Sequence, residues 1–290
     1  MTEHSTRAHA KINLALSLAP PEAEGERKGW HRICTWMHAI DLGDEVTLTP
    51  GGARLRVRVE RAADAPAPFE IDWPMEKDLA YRALVLLQER VGRALDAEVV
   101  VRKRVPPQGG LGGGSSDAAA ALMLANDAFE LGLPGDALRE VALRLGSDVP
   151  FFVDDERPPR PAIVSGFGET IERTPRAPRA VTLIVPSFGC PTPEVYRAYD
   201  EMGPTPIDTD IVTRMAREAD HRAGQFNDLA LPAEHARPEL RTLRARVAEL
   251  SGRWVNITGS GSAMFIVGEV VERLEGRLGE GVSVFAASLV

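Results

Sequence analysis

The residues best placed for chemistry form one glycine-rich segment, residues 106–117, with the sequence Pro-Pro-Gln-Gly-Gly-Leu-Gly-Gly-Gly-Ser-Ser-Asp. Five of the six residues from Gly109 to Gly114 are glycine, so the backbone can turn tightly with no Cβ in the way. Successive N–H groups of such a loop can converge on one anion. The segment therefore predicts a phosphate-binding loop, and a flexible linker is the alternative.

A helix is predicted to begin where this segment ends. Ser115 or Ser116 is predicted to cap it, and Asp117 falls in its first turn. The apolar stripe that follows consists of Ala118, Leu122, Ala125 and Phe129. The first N–H groups of a helix are unpaired and its dipole is positive there, so this junction favours phosphate binding over a linker. The spacing matches neither Gly-x-x-x-x-Gly-Lys-Ser/Thr nor Gly-x-Gly-x-x-Gly, because Ser115 stands at the third glycine position.

A second glycine–serine turn, Thr258-Gly259-Ser260-Gly261-Ser262, lies between two apolar, strand-like runs. It is either a second wall that faces the phosphates or a tight hairpin. The composition alone favours the hairpin.

Strands and helices alternate along the chain around these turns. Alternating apolar residues predict strands over residues 12–19 and 53–60, and residues 41–50 are the predicted partner of the second strand. Helical spacing begins at Asp78 and is predicted to end at Gly92. The mixture predicts an α/β or α+β enzyme of two domains, with the proline-rich loop 154–161 as a plausible boundary.

Length, charge and cysteine content exclude several classes of protein. The 290 residues exceed the ~150 typical of one domain. A formal charge of −8 and a pI of about 5.4 oppose a surface that follows nucleic-acid phosphates, so no nucleic-acid partner is expected. Cys34 and Cys190 could form one bridge but no disulfide framework, which favours a cytoplasmic protein. No apolar run reaches the ~18 residues of a membrane span.

Four blocks of the sequence, in order, resemble motifs of the GHMP kinase superfamily. They are residues 10–14 (Ala-Lys-Ile-Asn-Leu), 109–117, 145–152 (Leu-Gly-Ser-Asp-Val-Pro-Phe-Phe) and 258–262. With weaker matches they extend over residues 10–267, nearly the whole chain. The glycine block is typical of the superfamily. The lysine and aspartate blocks resemble its branch that acts on 4-diphosphocytidyl-2-C-methyl-D-erythritol, in the non-mevalonate isoprenoid pathway.

The resemblance implies ATP-dependent phosphorylation of the 2-hydroxyl of that compound, with Mg²⁺ accompanying ATP. It implies that Asp148 takes the hydroxyl proton and that Lys11 polarises the hydroxyl or the γ-phosphate. From the residues alone, Asp148 could equally cap a helix, and Lys11 could be a solvated strand residue. The implied ATP-binding residues are Pro106, Gly109, Gly110, Leu111, Gly112, Gly113, Gly114, Ser115, Ser116 and Asp117.

The resemblance also implies where the acceptor substrate binds. The implied residues are Asn13, Trp30, His31, Tyr196, Thr258, Gly259, Ser260 and Gly261. Trp30, His31 and Tyr196 occupy the positions at which members of the family bind the cytosine. The alternative is that Trp30 and Tyr196 are ordinary aromatic side chains of the core or of its rim. For Mg²⁺, Ser116 is a candidate ligand and the rest of the metal site is not predicted.

The implied fold is α+β, with an N-terminal α/β ATP-binding domain (1–156) and a C-terminal ferredoxin-like domain (157–290). Two departures from the family pattern stand out. Asp78 occupies the place of an asparagine beside the adenine, and loop 154–161 replaces a short glycine turn. Two other functions stay open: another GHMP kinase, acting on homoserine, mevalonate or a sugar, and a catalytically silent GHMP-fold ligand sensor. The sequence predicts no oligomeric state.

Overall fold

The computed structural model describes residues 2–177, 179–219 and 226–290. These divide into two compact units, each built from separated stretches of chain. Unit 1 holds residues 2–10, Leu42–Val105 and Gly112–Pro159, and unit 2 holds the described residues of Lys11–Asp41, Pro106–Leu111 and Arg160–Val290. The strands β1 (His4–Pro21) and β2 (His31–Pro50) contribute residues to both. The predicted domain boundary after residue 156 stays a prediction.

In unit 1, the second half of β2 pairs with β4 (Ala97–Lys103), and β4 pairs with β3 (Arg56–Arg61). The first pair is antiparallel and the second is parallel. The predicted pairing of residues 41–50 with 53–60 is therefore wrong, since Val99 of β4 lies between Leu48 and Val57. All three of these side chains are buried. A parallel pair needs a crossover, which the helix between β3 and β4 supplies.

The helices of unit 1 pack against one another. They are α1 (Leu79–Val91), α2 (Gly113–Ala128), α3 (Gly135–Leu143) and the short α4 (Val149–Phe152), with a 3₁₀ turn at Met75–Lys77. Asp78 and Gly92 bound α1 as predicted: Asp78 Oδ1 accepts from the amide of Ala80 at 2.9 Å, and Gly92 ends the helix at φ 68°. α2 packs against α1 and α4. Most of its small, alanine-rich side chains are buried, which allows this close packing.

Unit 2 contains two groups of strands. Its further strands are β5 (Ala162–Gly166), β6 (Thr170–Arg173), β7 (Ala180–Pro186), β8 (Phe226–Asn227), β9 (Asn256–Ile257), β10 (Met264–Val267) and β11 (Val282–Ser288). The first half of β2 pairs antiparallel with β5, β5 pairs with β6, and β8 runs parallel to β1. The other four strands form an antiparallel sheet in the order β11, β7, β10, β9.

Helices of unit 2 pack beside these strands. They are α5 (Thr192–Glu201), α6 (Thr209–Glu218), α7 (Ala230–Ala236), α8 (Pro238–Ser251) and α9 (Val271–Leu274). α7 packs against both α5 and α8. The mixture of sheets and helices in the two units confirms the predicted α+β class. Throughout the part of the chain that the structure describes, every helix is too short or too polar to span a membrane.

Candidate active site

The glycine-rich segment leads into a helix start that carries no side-chain cap. α2 begins at Gly113, and its N-cap is Gly112, which adopts a left-handed φ of 70°. Among the described residues no side chain caps this helix, so the predicted capping by Ser115 or Ser116 is wrong. Both serines lie inside the first turn, because the glycine before them supplies the backbone change that starts the helix.

The amides of this first turn are available to a ligand. The first hydrogen bond within α2 runs from Ser116 N to Gly112 O at 2.9 Å. The amides of residues 113–115 therefore have no acceptor within the helix. Together with the positive end of the helix dipole, they form an anion-binding position. This geometry supports the phosphate loop and disfavours the flexible linker.

Beneath the first turn, Lys103 lies between two buried carboxylates. Its Nζ donates to Asp117 Oδ2 at 2.6 Å and also to Asp44 Oδ2. All three side chains are at most 6% exposed. Asp44 Oδ1 accepts from the amides of Arg104 at 2.5 Å and Val105 at 2.8 Å. We call Asp44, Lys103 and Asp117 the Lys103 cluster; it ties the end of β4 to the start of α2.

Burial shifts the pKa values of the Lys103 cluster, and the backbone of α2 packs closely against it. Burial alone would lower the pKa of Lys103, but the carboxylates of Asp117 and Asp44 outweigh it and raise that pKa. Burial raises the pKa of Asp117 well above its usual range, although the Lys103 ammonium opposes the shift. Gly113 packs on the cluster: a Cβ there would lie 2.8 Å from Val105 Cγ1 and 3.3 Å from Lys103 Nζ. The first helical residue must therefore be glycine.

Two polar atoms at this turn are buried without a hydrogen-bond partner among the described residues, Ser116 Oγ and Asp117 Oδ1. Such atoms cost free energy unless a ligand, ion or water satisfies them. The described residues contain no group of three His, Cys, Asp or Glu side chains that could bind a metal ion. A single hydroxyl oxygen at a phosphate site fits Mg²⁺, which takes few protein ligands and keeps phosphate oxygens and water.

In unit 2, Lys11 is 2% exposed, which excludes a solvated strand residue. Its Nζ donates to Asn13 Oδ1 at 2.6 Å and to Gly110 O at 3.0 Å. Its backbone N donates to Leu111 O at 2.9 Å. Burying an ammonium is costly unless it is hydrogen-bonded, and these acceptors supply part of that compensation. The structure therefore brings the lysine motif and the first half of the glycine-rich segment together.

The turn at residues 258–262 joins the same group of residues. Thr258 Oγ1 accepts from Asn13 N at 3.0 Å and lies 3.3 Å from both Asn13 Oδ1 and Gly110 O. Asn227 Nδ2 donates to Ile257 O at 2.7 Å and to Gly259 O at 2.9 Å. The turn connects the antiparallel strands β9 and β10, so the hairpin alternative is confirmed. The turn also packs against Lys11 through Gly259.

Glycine is required at two points of this contact. A Cβ on Gly110, whose φ is 72°, would lie 2.2 Å from Thr258 O. A Cβ on Gly259, at φ 55°, would lie 3.3 Å from Asn13 Oδ1 and 3.5 Å from Lys11 Nζ. Both residues combine a left-handed backbone with a close approach. The two glycine-rich motifs can therefore meet around Lys11 only because neither carries a side chain here.

The remaining predicted residues of the turn are also held in place. Gly261 N donates to Thr258 O at 2.9 Å, and Ser260 Oγ lies 3.0 Å from the hydroxyl oxygen of Thr192 at the start of α5. Ala263 N, directly after the turn, donates to Gly109 O at 3.1 Å. Pro106 is buried in the same unit.

The predicted base-binding residues divide into two contacts within unit 2. Trp30 packs edge-on against Phe167, with ring centroids 6.3 Å apart. His31 packs on Tyr196 at 5.1 Å. Both His31 ring nitrogens have partners, Ala19 O at 3.0 Å and Asp200 Oδ1 at 3.4 Å. The imidazole of His31 is thus already engaged within unit 2.

In unit 1, Asp148 immediately precedes α4. It is the N-cap residue, but its side chain makes no capping hydrogen bond to any described residue, which disfavours the capping alternative. Its side chain is half-buried, and the four residues of α4 are buried. Because α4 packs on α2, Asp148 directly precedes a helix that contacts the helix following the glycine-rich segment.

The structure explains the departure at Asp78 and adds two buried charged residues, Lys103 and Asp44, to the site. Asp78 Oδ2 accepts from Trp73 Nε1 at 3.0 Å while Oδ1 caps α1, so this departure has a structural role. Lys103 and Asp44 were not predicted from the sequence as residues of the site. A signal was present: Val99, Val101 and Lys103 alternate on the buried face of β4, and a lysine on such a face needs a partner.

The geometry can be compared with known proteins. Residues 78–155 match the family model described as GHMP kinases N terminal domain. A 4-diphosphocytidyl-2-C-methyl-D-erythritol kinase of Pelotomaculum thermopropionicum is 34% identical over 266 residues, which cover 89% of this chain and 86% of that protein. The kinase of the same name from Moorella thermoacetica is 35% identical over 286 residues, which cover 94% of each.

Solved structures agree with the sequence relatives. A crystal structure of 4-(cytidine 5′-diphospho)-2C-methyl-D-erythritol kinase has a TM-score of 0.74 and 28% identity, and covers 98% of both chains. The L. major mevalonate kinase in complex with R-mevalonate has a TM-score of 0.67 at 13% identity, which shows the fold alone. On these likenesses, and with the predicted resemblance confirmed, this chain belongs to the 4-diphosphocytidyl-2-C-methyl-D-erythritol kinase family of the GHMP kinases.

Proposed function

We propose that the protein transfers the γ-phosphoryl group of ATP to the 2-hydroxyl of 4-diphosphocytidyl-2-C-methyl-D-erythritol. The observation that carries this proposal is the buried Lys11, which the lysine motif, the glycine-rich segment and the 258–262 turn surround. Relatives that bear this substrate's name and match nearly the whole chain support the choice of acceptor.

ATP phosphates are proposed to lie at the start of α2. The amides of residues 113–115 point to this position because they lack partners within the helix. Ser116 Oγ, buried and unpartnered among the described residues, is the proposed protein ligand of Mg²⁺. Bound there, the ion would neutralise charge on the phosphate oxygens. The flanking Pro106, Gly109 and Leu111 complete the proposed loop.

Lys11 and Asp148 are the proposed catalytic residues. Phosphoryl transfer needs in-line positioning and charge stabilisation more than covalent chemistry. The Lys11 ammonium, fixed by Asn13 and Gly110, would stabilise charge on the transferring group or the attacking oxygen. Asp148, which is half-buried and directly precedes α4, would orient the acceptor hydroxyl and take its proton.

Acceptor recognition is proposed for two groups of residues in unit 2: the aromatic residues of the predicted base site, and the residues around Lys11 and the 258–262 turn. Trp30 and Tyr196 would provide flat surfaces for the cytosine, and His31 would face its edge. Asn13, Thr258, Gly259, Ser260 and Gly261 would surround the methylerythritol part. The cytoplasmic location and the absence of a nucleic-acid partner stay predictions.

A coupled assay of ADP release tests the proposal. The protein should turn over the cytidyl substrate with ATP and Mg²⁺, and should not turn over homoserine or mevalonate. Asp148→Asn should lose at least ~100-fold in kcat while ATP affinity is kept. Asp155→Asn is the matched control, an exposed aspartate of the following loop, and should keep full activity.

The opposite results have separate meanings. Turnover of homoserine or mevalonate, with none of the cytidyl compound, would replace the proposed acceptor. A wild-type protein that binds ATP and phosphorylates none of the three would favour the ligand sensor. Full activity of Asp148→Asn would remove this aspartate from the catalytic residues.

A further inference from the structure

The surroundings of the Lys11 ammonium depend on where the 258–262 turn lies. Thr258 Oγ1 accepts from the backbone N of Asn13 at 3.0 Å. The Gly259 backbone is so close that a Cβ there would lie 3.5 Å from Lys11 Nζ and 3.3 Å from Asn13 Oδ1. That same oxygen accepts from Lys11 Nζ at 2.6 Å. A displacement of the turn would therefore change the contacts of the ammonium and of the oxygen that it binds.

Asn227 fastens this turn with both N–H bonds of its side-chain amide. Its Nδ2 donates to Ile257 O at 2.7 Å and to Gly259 O at 2.9 Å. These two carbonyls stand on either side of Thr258 in the chain, so one amide fixes the backbone before and after it. Asn227 Oδ1 accepts from Leu229 N at 2.9 Å. The amide is thus held on its donor side and on its acceptor side, which sets its orientation.

Asp228, the next residue, holds the same segment on β1. Its Oδ2 accepts from Leu18 N at 2.8 Å and from Ser17 Oγ at 3.0 Å, and its backbone N donates to Leu16 O at 3.0 Å. These bonds reinforce the pairing of β8 with β1, which spans only the two residues of β8. Because β1 also carries the lysine motif, Asp228 and Asn227 together join the strand of that motif to the turn that packs on it.

We propose that Asn227 is a positioning residue for phosphoryl transfer. Its two donated hydrogen bonds set the distance between the 258–262 turn and Lys11, and so hold the ammonium where it stabilises charge on the transferring group. Asp228 acts one step further away, by holding Asn227 in place. The inference rests on the role that the proposed function gives to Lys11. A misplacement of about 1 Å in such an arrangement can cost about 100-fold in rate.

Steady-state kinetics of ADP release from the cytidyl substrate, ATP and Mg²⁺ tests the two donors. Asn227→Ala should lower kcat at least ~10-fold and leave the KM for ATP within about twofold, because the unpaired amides at the start of α2 are not altered. Asn227→Asp keeps the volume but turns a carboxylate toward two carbonyl oxygens, so it should lose at least as much. Asn227→Ser keeps a single, shorter donor and should lose less; it carries the same test if Asn227→Ala does not fold.

Asn126→Ala is the matched control. Asn126 lies in α2 and also bridges the backbone through its side chain: Nδ2 donates to Leu133 O at 3.1 Å, and Oδ1 accepts from Leu133 N at 2.9 Å. Its loss removes hydrogen bonds of the same kind at a place that does not contact Lys11. Asn126→Ala should keep kcat within about twofold of the wild type.

The NMR signals of the lysine side chains give a readout that general destabilisation would not move. The lysines of the chain are Lys11, Lys28, Lys77 and Lys103. Full-length protein labelled with ¹³C at the lysine ε-carbon therefore gives four signals, and Lys11→Met identifies the one from Lys11. Asn227→Ala should shift this signal by more than its line width and leave the other three in place. Asn126→Ala should leave the Lys11 signal where it is.

Asp228 is tested in combination with Asn227. Asp228→Ala alone should lower kcat and shift the Lys11 signal in the same direction as Asn227→Ala. In the Asn227→Ala background, Asp228→Ala should lower kcat by less than a further twofold or so, about the limit of an uncoupled effect, because it acts on the reaction only through Asn227.

Several results would overturn the inference: kcat of Asn227→Ala within about twofold of the wild type, wild-type kinetics in Asn227→Asp, or a loss of kcat while the Lys11 signal stays in place. Full multiplication of the Asp228→Ala and Asn227→Ala losses would remove Asp228 from it. Failure of the proposed function looks different, since Lys11→Met would then keep its activity. An inactive Lys11→Met beside a fully active Asn227→Ala would overturn the inference alone.

Discussion

Replacing Lys103 with methionine should destabilise the protein far more than an ordinary lysine substitution. Methionine nearly fills the volume of the lysine chain, so the change removes charge rather than packing. It leaves Asp44 and Asp117 buried beside one another without the ammonium that both had bound. Either one carboxylate then takes up a proton, or the two negative charges repel each other.

The expected cost follows from the burial. Lys103 and Asp44 are 3% and 0% exposed, so solvent cannot replace the lost partner. Removing one member of a buried, hydrogen-bonded ion pair costs about 3–5 kcal/mol. Adding Asp117→Asn should recover part of the lost free energy of unfolding. Asp44 is then the one carboxylate left in the cluster, and its Oδ1 accepts from two backbone amides. The double variant should therefore be more stable than Lys103→Met alone.

Urea unfolding followed by far-UV circular dichroism measures this cost, with equal m-values as the check on comparability. Lys77→Met, at an exposed position of unit 1, is the control and should lie within about 0.5 kcal/mol of the wild type. A loss below about 1 kcal/mol for Lys103→Met would refute the reasoning. So would a double variant that is less stable than the single one.

Three other substitutions test separate features. Burial raises the folded pKa of Asp117 above its unfolded value of about 4, so the stability that the protonated carboxyl contributes is full below about pH 4 and is lost as pH rises through the raised pKa; Asp117→Asn should flatten this fall when urea unfolding is repeated from about pH 4 upward. Gly110→Ala should abolish activity and lower the melting temperature strongly, since its Cβ would lie 2.2 Å from Thr258 O, whereas Gly92→Ala, with a similar φ of 68° and open space, should cost about 1 kcal/mol. Asp78→Ala should lose about 1 kcal/mol of unfolding free energy with the α1 cap, and Asp78→Asn only a fraction of it; equal losses would contradict the capping role.

Local chemistry made several features predictable from the sequence. Asp78 and Gly92 bound α1 because a capping carboxylate and a left-handed glycine act within one turn of chain. The glycine-rich segment predicted unpaired amides for the same reason. The capping prediction for Ser115 or Ser116 was wrong because Gly112 can itself adopt the conformation that starts a helix. Residue preferences do not decide between two local solutions that are both permitted.

Features that depend on distant residues were harder to predict. Period-two alternation showed that residues 53–60 form a strand, but not that β4 would separate them from β2. Lys11 follows the alternation of a solvated strand residue, and only the contacts of Gly110 and Asn13 show why it can be buried. Asn227 lies 214 residues after Asn13, and its hydrogen bonds to the 258–262 turn likewise depend on the position of β8 beside β1.

The charges of the chain explain why backbone amides would matter at the proposed phosphate loop. A formal charge of −8 opposes anionic ligands, but at physiological ionic strength charges more than about 8 Å away are largely screened. Lys103, the cation beneath the loop, is neutralised by two carboxylates and adds no net positive charge. The proposed attraction for phosphate at the start of α2 would therefore come from the helix dipole, the unpaired amides and a bound cation, and not from Lys103. It follows that Lys103 supports the loop through stability, and that Lys103→Met protein which remains folded should still bind ATP.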